Sequence, residues 1–325
     1  MGANLLPKTL LQAVKYFADP DNCRTYLVSR RWPKGVTCPT CGSQGVYFDK
    51  SRQGWICKTK HPGRKFSLKT GTIFEDSPLG LDKWLPCVWL ISNAKNGISS
   101  WEIHRALGVT QKTAWFMLHR VRLAQQSKHG GGKLGGEVEV DETFIGGKGR
   151  NMHADKKQRV GMQRGRSMSG KVAVMGLLDR HGKNGVSQVR TEVLSGRKKG
   201  TLQNVVRQHV EPGSAVYTDA FYSYRGLSPD YMHGFVDHAE CYVDGQIHTN
   251  GCENFWSLLK RTIKGTYVSV EPFHLFRYLD EQAFRFNERA TDDAGRFDSA
   301  IDGIVGRRLT YADLIGETAA ENASL

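Results

Sequence analysis

The spacing of apolar residues divides the chain into helical stretches at both ends and a strand-bearing middle. Leu10, Leu11, Val14 and Phe17 recur at i, i+1, i+4 and i+7, which predicts helix across residues 6–31. Residues 36–75 lose that period and become rich in Gly, Cys and aromatic side chains. Helix returns over 80–127, in pieces divided at Asn96-Gly97 and at Gly108. Glycines at 130–132 and 135–136 form a linker, and Glu137-Val138-Glu139-Val140-Asp141 then alternates strictly, as a half-buried strand does. Residues 171–178 and 186–194 predict two further strands, 201–210 a helix, and 214–218 a short buried strand. Residues 252–264 and 272–290 are again helical. Three strands, a helix, a strand and more helices make a mixed α/β domain.

Composition narrows what such a chain can be. Its 325 residues are 39% hydrophobic, enough for a real core and too many for wholesale disorder. The longest apolar runs, 85–91 and 172–178, fall far short of the roughly 20 residues that cross a bilayer. No apolar h-region follows a basic start, so no secretory signal is expected. Seven cysteines are too few, and odd in number, for a disulfide scaffold. These features together predict a soluble intracellular chain. Its 46 Lys and Arg against 32 Asp and Glu, a net charge of +14, favour a polyanionic partner. Part of that excess is concentrated in residues 146–171, whose 26 positions hold eight Lys or Arg, six Gly and one Asp. Such a segment reads either as a solvated loop or as a basic arm that neutralises phosphates, with Lys156, Lys157 and Arg159 at its centre.

Cysteine spacing supplies the first candidate site. Cys38-Pro-Thr-Cys41 is followed, after fifteen residues, by Cys57-Lys-Thr-Lys-His61. Two close ligand pairs separated by a hairpin's length are the pattern of a zinc ribbon. Thiolate and imidazole suit tetrahedral Zn²⁺, and a 40-residue segment needs such a staple because its core is small. Trp55 and Phe66 are the expected core. His61 is the least usual ligand, because C-x₃-H departs from the commoner second knuckle.

A helix-turn-helix is the second candidate. Ser99 with Glu102 offers a capping box, Gly108 stops the short helix, and Thr110 caps the next one. Ala114, Met117 and Val121 are expected inward, leaving Gln111, Lys112 and Trp115 toward a DNA groove.

Three carboxylates supply the third. Asp141 ends the alternating strand, Asp219 ends the later buried strand, and Glu253 opens a helix. At about 100° per residue Glu253 and Lys260 share one edge of that helix, while Phe255, Leu258, Leu259 and Thr262 fall on the opposite face. Two strand carboxylates and one helix carboxylate can hold two Mg²⁺ ions, which activate water or a 3′-hydroxyl against a phosphodiester.

These stretches resemble bacterial insertion-sequence transposases of the DDE type, in the branch with an N-terminal zinc ribbon and an ISXO-like transposase domain. The resemblance is carried by CPTCG, WICKTKHPGRKFSLKTGTIFEDSPLGLDKW, VEVDETFIGGK, VYTDAFYSY, HTNGCENFWSLLKRTIKGTY and YLDEQAFRFNER, over about residues 20–290. It implies a ribonuclease H-like catalytic core that cuts DNA at transposon ends and joins it to a target. Asp141, Asp219 and Glu253 match the triad, and Lys260 matches the basic residue after the third acid. Relatives with Asn at the third position leave Asn250 and Asn254 open as alternatives. The implied partners are double-stranded DNA, as terminal inverted repeats and as target, and a second copy or more of the chain on that DNA. The expected setting is the cytoplasm, on the nucleoid. A transposase-derived DNA-binding regulator without catalysis is the rival, which three intact acids disfavour. The expected layout is helices and ribbon over 1–75, a helix-turn-helix segment over 76–130, the catalytic domain over 136–295 with its insertion at 146–171, and a tail over 296–325.

Overall fold

The structure, a computed structural model, describes residues 6–126, 132–146, 171–219, 221–236 and 246–317. Lys156, Lys157 and Arg159 lie outside them. The chain folds as two compact units, one built from residues 1–126 together with 291–325, the other from 127–290.

The first unit opens with α1 (Leu10–Phe17), capped by the Thr9 side chain, and α2 (Pro20–Arg31), capped by Asp19. The continuous helix expected over 6–31 is thus two. Pro20 disfavours helical backbone at Asp19 and is itself suited to the first helical position, so the chain turns there and starts again. A three-stranded antiparallel ribbon follows, β1 (Val46–Asp49), β2 (Gly54–Cys57) and β3 (Lys65–Phe66). Its core is aromatic: Trp55 stacks on Phe66 at 6.0 Å and meets Trp32 and Phe48 at 5.4 and 5.1 Å. Then come α3 (Leu81–Asn93), α4 (Ser100–Leu107) and α5 (Gln111–Gln125). The Ser99–Glu102 capping box starts α4, left-handed Gly108 ends it, and the Thr110 side chain caps α5.

The second unit is a five-stranded sheet with helices on both faces. Strands β4 (Glu137–Ile145), β5 (Val172–Asp179) and β6 (Gln188–Val193) form an antiparallel meander. Helix α6 (Lys199–His209) leads to β7 (Ala215–Asp219), which pairs parallel to β4, and β8 (Met232–Val236) pairs parallel to β7. The order across the sheet is β6-β5-β4-β7-β8. One face carries Val138, Val140, Met175, Leu177 and Val216 against Leu202 and Val206 of α6. The other carries Val174 and Leu178 against α7 (Asn250–Thr262) and α8 (Leu275–Asn287), through Phe255, Leu259, Leu279 and Phe286. Strand β8 is absent from the sequence reading because MHGFV neither alternates cleanly nor runs apolar.

The chain then returns to the first unit. Residues from 296 on, expected as a tail, contribute to α9 (Asp293–Asp302) and α10 (Tyr311–Ile315). Phe297 packs on Phe17, Tyr26 and Trp89, and Tyr26 Oη donates to Asp298 at 2.5 Å. Arg307 donates to the terminal carbonyls of Leu123, Ala124 and Gln126, satisfying the end of α5. Sequence periodicity missed these helices because they are short and their partners lie nearly the whole chain away. Among the described residues no helix is long and apolar enough to cross a membrane.

Candidate active site and metal centre

Cys38, Cys41, Cys57 and His61 each bring one donor atom to within 4.8 Å of the other three. Cys41 Sγ and Cys57 Sγ lie 3.7 Å apart, and Cys38 Sγ lies 3.5 Å from His61 Nε2. A tetrahedral Zn²⁺ with Zn–S of about 2.3 Å spaces its sulfurs by about 3.8 Å, so the cage has the size of the ion. His61 Nδ1 sits 2.7 Å from the Pro62 carbonyl, to which it donates, and this bond holds the ring with Nε2 facing the sulfurs; with an ion bound, the Nε2 lone pair is the one that ligates. Burial alone would raise the Cys57 thiol. Without an ion, hydrogen bonds with the His61 ring and the Thr59 amide instead lower it to about 6, which favours the thiolate that a metal binds. The expected core residues Trp55 and Phe66 do pack beside this cage.

The second unit places two of the three acids by register alone. Glu137, Val138 and Glu139 of β4 pair with Ala215, Val216 and Tyr217 of β7. Two residues further along each strand, Asp141 and Asp219 fall at equivalent positions on the same face, at the carboxyl end of β7. Asp219 Oδ1 accepts from the Phe221 amide at 3.1 Å, which fixes its carboxylate in an Asx turn. Burial pushes Asp141 up to about 6, with the negative charges of Asp219 and Glu142 adding to the effect.

Helix α7 is locked over this face by contacts that the sequence alone does not reveal. Trp256 Nε1 donates to Asp141 Oδ2 at 2.9 Å. Glu139, 2% exposed on the same face of β4, accepts from the Cys252 amide in the first turn of α7 at 3.0 Å. That helix has no capping side chain of its own, so a strand carboxylate satisfies its first turn. Arg180 Nε holds the other oxygen of Glu139 at 2.9 Å, and His248 Nδ1 approaches it at 3.3 Å. Gly251 permits this approach, because a Cβ there would stand 2.8 Å from Glu139 Oε2. Glu253 lies three residues before Trp256, exposed in the first turn, and Lys260 is half-buried on the same helix. The expected packing face is correct, with Phe255, Leu259 and Thr262 buried. Asn250 and Asn254 are both exposed.

Glu142, next to Asp141, points to the opposite face. It accepts from Tyr224 Oη and pairs with Arg197 at 3.2 Å, and burial raises its carboxyl. Among the described residues the cysteine–histidine cage is the one close group of three or more metal donors. Asp141 and Asp219 are neighbours that feel each other's charge, and Glu253 stands one helical turn from the indole that touches Asp141.

The residues expected to form a helix-turn-helix are placed differently from one another. Gln111 Nε2 donates to Ser100 Oγ at 2.8 Å, and the exposed Lys112 lies 4.5 Å from the Tyr311 ring centroid. Ala114, Met117 and Val121 are buried as expected. Trp115 is half-buried: one side of it packs on the Leu123–Leu309–Leu314 cluster and against His119. Two of its partners, Leu309 and Leu314, come from the stretch expected as a tail.

A family profile described as the ISXO2-like transposase domain matches residues 133–287, and a transposase zinc-ribbon profile matches residues 18–59. The chain is 28% identical over 261 residues to an uncharacterized protein in transposable element ISH50 of Halobacterium salinarum, across 77% of this chain and 85% of that one. It is also 33% identical over 101 residues to an uncharacterized transposase-like protein of Haemophilus influenzae, across 31% of this chain and 81% of the relative. The chain belongs to the ISXO2-like transposase family. The transposase profile spans Asp141, Asp219, Glu253 and Lys260, and the ribbon profile spans the three cysteines of the cage. The donor set and its spacing support a structural zinc in this transposase. Glu139, Glu142, Arg180, Arg197, Tyr224, His248 and Trp256 surround the acids and went unread in the sequence. Glu142 and Trp256 did carry a signal, adjacency to Asp141 and a one-turn offset from Glu253.

Proposed function

We propose that this transposase cuts DNA at the ends of its element and transfers the freed 3′ ends to target DNA, with a ribonuclease H-like core doing the chemistry. The observation that carries the reading is the β4–β7 register. It sets Asp141 and Asp219 side by side beneath the helix that bears Glu253. The strand order β6-β5-β4-β7-β8, with three antiparallel strands followed by two parallel to β4, supports a ribonuclease H-like sheet.

Asp141, Asp219 and Glu253 would hold two Mg²⁺ ions, which supply an activated water or 3′-hydroxyl and neutralise charge on the reacting phosphate. In the first step water adds to phosphorus and the 3′-oxygen of the element's end leaves as a hydroxyl. In the second that hydroxyl adds to a target phosphorus and the target's own 3′-oxygen leaves. The chain's part is placement. Trp256 fixes one Asp141 oxygen, the Phe221 amide fixes one of Asp219, and Lys260 contacts DNA beside the reacting phosphate. The ribbon, the first turn of α5 with Gln111 and Lys112, and the arm with Lys156, Lys157 and Arg159 would bind the duplex, the arm through phosphates without sequence choice. A second copy would hold the other end, on the nucleoid in the cytoplasm.

The test is incubation of the protein and Mg²⁺ with the DNA flanking its own gene, followed by mapping of cut and joined ends. Wild type is expected to cut and join, Glu253→Gln to bind without cutting, and Asn250→Ala to retain cutting. Cutting by Glu253→Gln with a dead Asn250→Ala would move the third position to the amide. Binding without any cutting by wild type would favour a DNA-binding regulator.

A further inference from the structure

The turn after Asp219 fixes two aromatic rings and displays a third. Tyr224 is 1% exposed, its hydroxyl donated to Glu142, and Phe221 lies under the Arg197 guanidinium at 4.2 Å. Tyr222, between them, is 67% exposed. Want of order does not explain this, because its backbone is held on both sides. Gln203 Nε2, nearly buried, donates to the carbonyls of Ser223 and Arg225, both at 3.0 Å. Ser223 Oγ donates to the Arg197 carbonyl at 3.2 Å, and Asp219 itself accepts from Phe221. The turn thus presents this ring from a backbone anchored on both sides.

Its surroundings are cationic. The Arg225 guanidinium stands 5.2 Å from the Tyr222 centroid, and Lys198 and Lys199 are exposed where α6 meets the turn. An apolar ligand would have no use for these charges. A phosphate alone would have no use for the ring. A nucleotide of a locally unpaired strand uses both, its base on the π face and its phosphates among the cations. The carboxylates of Asp141 and Asp219 repel a DNA backbone in the absence of bound cations, so attraction beside them has to come from such a rim.

We propose that Tyr222 is a stacking platform for one unstacked nucleobase of the DNA strand that lies at Asp141 and Asp219. The proposal rests on the transposase reading and adds to it that DNA enters this site with a base out of the helix stack. Taking a base out costs energy that a ready-made aromatic face offsets, so mismatched or single-stranded DNA should engage it best.

The experiment uses the full chain and a 15-nucleotide oligothymidylate with one central 2-aminopurine, whose fluorescence falls on stacking. Wild type and Tyr222→Phe are expected to quench it. Tyr222→Ala, at an exposed position where folding is not at risk, is expected to lose most of the quenching and to bind on the order of 10-fold more weakly. Equal quenching and affinity in wild type and Tyr222→Ala would overturn the proposal, as would strand binding by wild type without quenching. Cleavage of the element's ends, measured on the same preparations, reads the underlying activity separately. A wild type that cuts but never quenches sinks the platform and spares the transposase. One that quenches through Tyr222 but never cuts does the reverse.

Discussion

The indole of Trp256 reaches Asp141 over Gly176, where the sheet carries no side chain. Asp141 pairs directly with Gly176 on β5, and a Cβ at Gly176 would stand 2.6 Å from Cζ2 of the Trp256 ring. The glycine therefore makes room for a hydrogen bond of 2.9 Å between a helix and a strand carboxylate. Its role is close approach, not backbone freedom.

Gly176→Ala is expected to displace the indole and part it from Asp141, with overpacking worth about 1–3 kcal/mol of stability. Trp256→Phe removes the donor and part of the buried ring, for about 1–3 kcal/mol. Both variants should cut DNA more slowly than wild type, Gly176→Ala the more so. Tryptophan emission and urea midpoints, read beside cleavage rates, check the ordering. A Gly176→Ala protein with native emission and full activity would refute it.

Glu139 joins β4 to the first turn of α7, so its removal should be felt at Glu253. Glu139→Ala leaves Arg180, whose side chain is 10% exposed, without its closest carboxylate and leaves the Cys252 amide without its acceptor. Stability is expected to fall by about 3 kcal/mol or more. Glu139→Gln keeps an acceptor for the amide and loses the charge, so it should be milder. At a temperature where both variants remain folded, the Mg²⁺ concentration needed for half-maximal cleavage should rise in the same order. An unchanged Mg²⁺ requirement in both would reduce Glu139 to a purely structural group.

What the sequence made legible follows physical range. Asp141 and Asp219 could be picked out because strand alternation and a short buried strand are local patterns, and the cysteine cage because its spacing is. The helical hairpin of α4 and α5 was readable from Ser99, Glu102, Gly108 and Thr110, all local capping signals. The partial burial of Trp115 was not legible because its apolar partners Leu309 and Leu314 are far along the chain. Glu139 is one polar position of the alternating strand, and it is buried. Nothing near it in sequence announces Arg180 or His248, which reach it only once β4, β5 and α7 are assembled.

Asp141 predicts a pH dependence with a definite sign. Its folded carboxyl titrates at about 6 because of burial, above the unfolded value, so the metal-free fold favours its neutral form. This group's contribution to stability is full at low pH and is lost as pH rises through about 6, up to about 3 kcal/mol. Asp141→Asn should therefore be more stable than wild type above pH 6 in the presence of a chelator, while cutting no DNA. Mg²⁺ bound at Asp141 as proposed would have to displace that proton, so the affinity of wild type for Mg²⁺ should fall with decreasing pH below 6. Urea midpoints against pH in chelator, and Mg²⁺ titrations at pH 5.5 and 7.5, give both readings. A midpoint curve identical in wild type and Asp141→Asn would remove the premise.

The ribbon should stand or fall with its metal. Its apolar centre is a small cluster of Trp32, Phe48, Trp55 and Phe66, with Ile56 and Leu68 beside it, around three short strands, too little to fold a segment of this size alone. Three thiolates and one imidazole predict one Zn²⁺ per chain, and Co²⁺ in its place should show the visible absorption of a tetrahedral site with sulfur ligands. Cys38→Ser/Cys41→Ser should abolish metal retention. His61→Cys should retain it with an altered Co²⁺ spectrum, and His61→Ala should weaken it, since the Pro62 carbonyl holds that ring in the binding tautomer. The sheet unit, residues 127–290, is compact by itself, so chelation is expected to weaken binding to the element's ends while leaving that unit's thermal transition in place. Full zinc retention by the double serine variant, or a His61→Ala spectrum identical to wild type, would show that these residues do not form the cage.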